Sequence, residues 1–253
     1  MINRDELTYF MNNLLRISDI SDSSLNGLQV QGCDQIKRIA LGVSASLALF
    51  EKAAALNCQA IIVHHGLFWN KMDFRLQGVL YDRVRFLIER KINLYGYHLP
   101  LDLHPQLGNN AALIGMLPAM EIFPFGDYHG LAIGYHAQLD HSMDFDSIIQ
   151  TYEKNLGQAP LAVYKHGKSA IQSVAVVSGG AADLVHEALI KKMDLFITGE
   201  TAEYAQELTR EGQINYLALG HYASEKEGVK KLGEAISNQY HCQVEFIDVA
   251  NSF

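Results

Sequence analysis

The run Ala60-Ile61-Ile62-Val63 ends in His64-His65-Gly66. Closing a buried strand on two imidazoles adds nothing to packing. It does fix two nitrogen donors at the mouth of a sheet, and imidazole is the commonest protein ligand for first-row divalent metals. A doublet alone suits a surface loop equally well, so other donors must converge on it. In an open α/β sheet, functional groups gather beyond the carboxyl ends of the strands. Three further predicted strand ends carry donors. Tyr97 is followed by His98, Asp102 and His104, Thr198 by Gly199 and Glu200, and Leu219 by His221 and Glu225.

Each donor also has a plain structural reading. Asp102 could cap a turn between Pro100 and Pro105. Ser224-x-x-Glu227 is a capping-box pattern that would put Glu225 in a first helical turn. His98 could be a core histidine bonded to backbone. His104, His129, His136, His141, His166, His186 and His241 have no comparable setting. All the plain readings would have to hold at once, which favours a shared purpose. Three histidines and two carboxylates suffice for two metal ions with a bridging carboxylate. Donors without thiolate suit zinc, iron, manganese or nickel.

The elements that must position these residues follow from periodicity. Leu7, Phe10, Met11, Leu14 and Leu15 form one apolar face of an N-terminal helix within residues 1–16. Residues 38–44 predict a strand, 46–57 a helix and 60–63 a strand. The same order recurs as a strand at 174–178, a helix at 181–191 and a strand at 195–198. The two copies align without a gap at an offset of 134 positions, with Val43-Ser44 falling on Val177-Ser178. Each is followed by another helix and strand, at 81–91 and 92–97, and at 202–210 and 214–219. Alternating strands and helices predict parallel β–α–β units. The expected fold is therefore α/β, with two similar lobes of mixed or parallel sheet flanked by helices. The expected lobes are residues 1–125 and 126–253, joined through an irregular region at 122–164 with some antiparallel structure.

Bulk properties exclude several classes. The 253 residues are 49% apolar and 19% charged, as in a soluble globular protein. The net charge of −8 and the lack of any basic run argue against nucleic acid as a partner. The scattered Cys33, Cys58 and Cys242 predict neither a disulfide framework nor a zinc ribbon. No signal-peptide pattern opens the sequence and no apolar stretch is long enough to cross a bilayer, so the expectation is a cytoplasmic protein.

Taken together, these residues resemble the GTP cyclohydrolase 1 type 2 homologues, also called the Nif-three-like family. Val63-His64-His65-Gly66, Tyr97-His98-Leu99-Pro100-Leu101-Asp102, Ile197-Thr198-Gly199-Glu200 and Gly220-His221-Tyr222-Ala223-Ser224-Glu225 occur in the family's order. Asn26-Gly27-Leu28-Gln29-Val30 matches a further signature. No single segment is specific, but five in order are, and they span nearly the whole chain. The resemblance implies a dinuclear site between the lobes, with His64 and His221 on one metal, His65 and Asp102 on the other, and Glu225 bridging. It implies that His98 and Glu200 stand behind the ligands or face the substrate. It also implies a toroidal homohexamer.

The expected function is a metal-dependent hydrolase of a nucleotide or related small molecule, with His98 or Glu200 as general acid or base. A family name does not establish an activity. The sequence has no P-loop and no G-x-G-x-x-G, so metal and side chains would have to hold a nucleotide. The alternatives are non-enzymatic metal storage or a ring-shaped scaffold, and, against the acidic charge, a DNA- or regulator-binding role.

Overall fold

Six apolar runs become the parallel strands predicted from the sequence, in a computed structural model that describes residues 1–253. The chain forms two α/β units. The first comprises residues 1–107 and 228–250, the second 108–227 and 251–253. The first holds β1 (Ile2–Asn3), α1 (Arg4–Leu14), β2 (Gly27–Val30), β3 (Gln35–Ile36), β4 (Arg38–Ser44), α2 (Leu47–Ala55), β5 (Ala60–His65), α3 (Gly78–Arg90), β6 (Asn93–Gly96) and α4 (Leu99–Asp102). The second holds α5 (Asn109–Ile114), β7 (Ala119–Tyr128), β8 (Leu131–Asp144), α6 (Phe145–Leu156), β9 (Ala162–Lys165), β10 (Ala170–Val177), α7 (Val185–Ile190), β11 (Leu195–Thr198), α8 (Glu203–Gly212), β12 (Asn215–Ala218) and α9 (His221–Ser224). The last elements, α10 (Lys226–Tyr240) and β13 (Gln243–Phe246), carry the chain back to the first unit.

The first sheet runs β13-β4-β5-β6-β2, parallel except for β2, which pairs antiparallel with β6. Strand β5 shows how it is filled. Ala60 and Ile62 face a cluster that includes Leu7 and Met11 of α1 and Val229 and Leu232 of α10. Ile61 and Val63 face Leu49 and Phe50 of α2 and Leu87 of α3. Both faces are thus covered by helices, which is why the strand reads as a continuous apolar run. Each fully buried Ile contributes about 1.5–3 kcal/mol of transfer free energy.

The second sheet repeats the plan as β7-β8-β10-β11-β12-β9. Its parallel strands β10, β11 and β12 again end on an antiparallel edge strand, β9. Leu195 and Ile197 face Phe145, Ile148 and Tyr152 of α6, while Phe196 faces Val185 and Ala188 of α7 and Ala205 of α8.

Three expectations are corrected. The boundary lies at 107/108 rather than 125/126, because β7 pairs with β8 in the second sheet. The 126–253 lobe is not continuous either, because β13 pairs with β4 and α10 packs in the first core. Finally, the region 122–164 is regular: a long β7–β8 hairpin, then α6 capped by Asp144 and ended by Gly157 at φ 74°.

Candidate metal centre

The first unit supplies one group of donors. Sheet hydrogen bonds hold the strand ends, with Tyr97 N–H donating to the Val63 carbonyl (2.9 Å) and Ala45 N–H to that of His65 (2.8 Å). His64 is fully buried. Its Nδ1 donates to the Tyr97 carbonyl at 3.0 Å, which leaves the lone pair of the neutral ring on Nε2. That nitrogen stands 3.3 Å from Oδ2 of Asp102, at the end of α4. A lone pair facing a carboxylate is repulsive unless a cation, proton or metal, lies at the pair. His65 Nδ1 contacts Ser44 Oγ at 3.1 Å. The His64 and His65 ring centroids are 4.7 Å apart, and His98 lies 5.0 Å from the first and 5.8 Å from the second. The ligand atoms of these three histidines all fall within 4.8 Å of one another.

The sequence reading missed the residue behind His98. The Asp22 carboxylate accepts from His98 Nδ1 (2.9 Å), Leu99 N–H (2.9 Å), Ser24 N–H (3.0 Å) and Asn26 Nδ2 (2.9 Å). Burial alone would raise its pKa. The hydrogen bond and charge of His98, with the Asn26 and Ser24 donors, outweigh burial and bring it down to about 2. The Asn26 signature is explained at the same point. Asn26 Oδ1 accepts from His98 N–H (2.8 Å), and Gln29 Oε1 accepts from Leu67 N–H (2.7 Å), securing the loop after His65. Gly66 lets the Gln29 amide sit close to the backbone there, 2.3 Å from where a Cβ would lie. The same loop brings Trp69 edge-on to His98 at 5.0 Å, its indole N–H held by the Gly66 carbonyl at 3.1 Å.

The second unit supplies another group. Glu200 follows β11, and His221 opens the four-residue helix α9 after β12. His221 lies between two carboxylates, with Nδ1 at 2.5 Å from Glu200 Oε1 and Nε2 at 3.2 Å from Glu225 Oε2. Burial opposes its charged form. The hydrogen bond and charge of Glu225, then those of Glu200, overcome this and raise its pKa to about 9. The surroundings of this imidazole therefore call for positive charge. Glu225 is 3% exposed, which a solvated helix-start residue would not be. Ser224 closes α9, donates to the His221 carbonyl (2.9 Å) and accepts from Gly179 N–H (3.0 Å). Gly179, at φ 67°, leaves room for Glu225, whose Oε1 would lie 2.3 Å from a Cβ there.

Both groups suit a divalent cation. Each presents imidazole next to carboxylate, and in each an imidazole has its second nitrogen fixed by a carbonyl or carboxylate, as metal-binding histidines do. Of the two residues expected to move protons, Glu200 is engaged by His221 and His98 by Asp22. The remaining histidines are structural or exposed. His104 Nδ1 accepts from Gln106 and Leu107 N–H, and His166 bonds Thr209. No helix is long and apolar enough to cross a membrane.

Comparison with known proteins identifies the family. The chain is 38% identical over 250 residues to the GTP cyclohydrolase 1 type 2 homolog of Pasteurella multocida (strain Pm70), covering 99% of each. It is similar in structure to a protein solved as ybgI, of unknown function, with a TM-score of 0.92 and 34% identity over 100% of both chains. It is also similar to TTHA1606 from Thermus thermophilus, with a TM-score of 0.91 and 32% identity over 100% of both. Residues 2–252 match the model of one family, and the chain belongs to it: Duf34/NIF3 (NGG1p interacting factor 3).

Proposed function

We propose that this protein is a dinuclear metal-dependent hydrolase acting on a nucleotide or related small molecule. His64, His65, Asp102, His221 and Glu225 would hold the two divalent cations, with nitrogen and carboxylate oxygen as the donors. The observation that carries the reading is the His64–Asp102 pair, a fully buried imidazole whose lone-pair nitrogen faces a carboxylate at 3.3 Å. Nitrogen and oxygen donors fit zinc, iron, manganese or nickel. Such ions polarise phosphoryl or carbonyl oxygens and make water acidic enough to react near neutral pH. The chain's own part is orientation: Tyr97 fixes the His64 ring, Ser44 contacts His65, and Glu200 fixes His221.

The reading includes a homo-oligomer, a toroidal hexamer by family likeness. Strand β7 lies at the edge of its sheet and exposes Met120, Ile122 and Phe123, which favours self-association. Light scattering behind a sizing column should give six copies.

Elemental analysis of gently purified protein should find close to two divalent ions per chain. The loaded protein should turn over at least one member of a nucleotide and phosphoester panel, and Glu225→Gln should abolish that turnover in folded protein. Well under one ion per chain would sink the metal centre. Loaded, folded protein that is inert across the panel would sink the hydrolase.

A further inference from the structure

The three histidines of the first unit share a pattern. His64 Nδ1 is engaged by the Tyr97 carbonyl, His65 Nδ1 by Ser44 Oγ and His98 Nδ1 by Asp22. An ionised carboxylate can only accept, so Nδ1 of His98 carries the proton and the lone pair of the neutral ring is on Nε2. The ring is thus prepared in the way a metal-binding imidazole is, with a carboxylate fixing its tautomer and direction.

We propose that His98 is a third imidazole ligand at the first unit's metal centre, and that Asp22 is the positioning residue that aims it. The inference rests on the metal-centre reading above and adds to its ligand set. Distance supports it. Nitrogen ligands about 2.1 Å from one ion lie about 3–4 Å from each other. The ligand atoms of His64, His65 and His98 all lie within 4.8 Å of one another, so His98 stands within reach of an ion held by either of the other two.

The fold does not need an imidazole here. Asn26 Oδ1 holds the backbone N–H of residue 98, whatever its side chain. Asp22 is committed to its contact with His98 as well as to the backbone around it. Its side chain is 2% exposed, and one of its oxygens spans 2.9 Å to His98.

The test uses Co(II), whose visible absorption reports its ligands, on the full-length protein. Affinity is measured by chelator competition and folding by circular dichroism and melting. His98→Asn should fold like the parent, bind Co(II) at least about 10-fold more weakly and shift the visible band to longer wavelength, as oxygen replaces nitrogen. Asp22→Asn should keep the ligand but lose its aim, weakening binding by about 10–100-fold. His98→Gln is the second variant should Asn disturb the turn. A folded His98 variant with parental Co(II) affinity and an unchanged spectrum overturns the proposal, while leaving the metal centre standing. A parent protein that binds no Co(II) overturns the metal centre itself, and this inference with it.

Discussion

Asn93 and Asn215 open the third parallel strand of their respective units and make the same hydrogen bonds. Asn93 Oδ1 accepts from Gly32 N–H (2.8 Å), while its Nδ2 donates to the Cys33 (2.9 Å) and Gln59 (3.1 Å) carbonyls. Asn215 Oδ1 accepts from Gly167 N–H (3.0 Å), while its Nδ2 donates to the Lys168 (2.7 Å) and Asp194 (3.3 Å) carbonyls. Each ties the neighbouring parallel strand and the segment after the antiparallel edge strand to one buried amide. The helix–edge strand–parallel strand order around them is also shared, from α1 to β6 and from α6 to β12. The two units thus share one local plan around this amide. The units differ at the other sheet edge, where β4 is flanked by the parallel β13 and β10 by the antiparallel β8, and in the longer loop after β5, which carries Trp69.

Alanine at either position strands buried backbone groups, each costing about 1–3 kcal/mol. Asn93→Ala and Asn215→Ala should each lower the urea midpoint by a similar amount, corresponding to at least about 2 kcal/mol. A neutral effect at one site would show that the equivalence is only geometric.

Glu200→Gln keeps the size of the side chain but removes the charge facing His221 Nδ1. Divalent metal affinity should fall by about 10–100-fold, with circular dichroism unchanged. Equilibrium dialysis against zinc or manganese measures it.

Trp69 is the only tryptophan in the chain, and its ring lies 6.0 Å from that of His65. A paramagnetic ion at this centre drains the indole excited state. Titration with Co(II) or Ni(II) should quench most of the emission saturably, and His65→Ala should remove the saturable part. Fluorescence that ignores both ions would contradict a metal at His65.

Asp194 ties the start of β11 to β10. Its carboxylate accepts from Gln172 and Ser173 N–H at 2.8 and 2.9 Å and pairs with Lys168. Burial works to raise its pKa, but the Lys168 bond and the two N–H donors lower it. A depressed carboxylate adds stability above its unfolded pKa of about 3.9, and loses it as pH falls through the lower folded value. Asp194→Asn should therefore destabilise by about 1–2 kcal/mol at pH 7. The gap from the parent should close below about pH 4, as urea midpoints at the two pH values would show.

Much of this was readable in advance, for physical reasons. Parallel strands covered on both faces must be apolar throughout, so β4, β5, β6, β10, β11 and β12 stand out as runs, and the donors stand out where the runs stop. Helix α6 carries Phe145, Ile148, Tyr152 and Leu156 at helical spacing, but Pro124, Gly126 and Gly130 just before it read as irregular chain. Strand β13 is only four residues long and becomes a strand by pairing with β4. Asp22 sits in Ser21-Asp22-Ser23-Ser24, a polar stretch with no periodicity.

The sequence by itself determined the two-fold α/β pattern and the types of the donors His64, His65, His98, Asp102, Glu200, His221 and Glu225. Local periodicity and residue chemistry are properties of short segments, and these were enough. The tertiary structure decided which nitrogen of each imidazole is fixed, that Glu225 is buried beside Gly179, and that Asp22 reaches His98 from a distant loop. Those facts depend on side chains meeting across long stretches of chain, and only packing sets such distances.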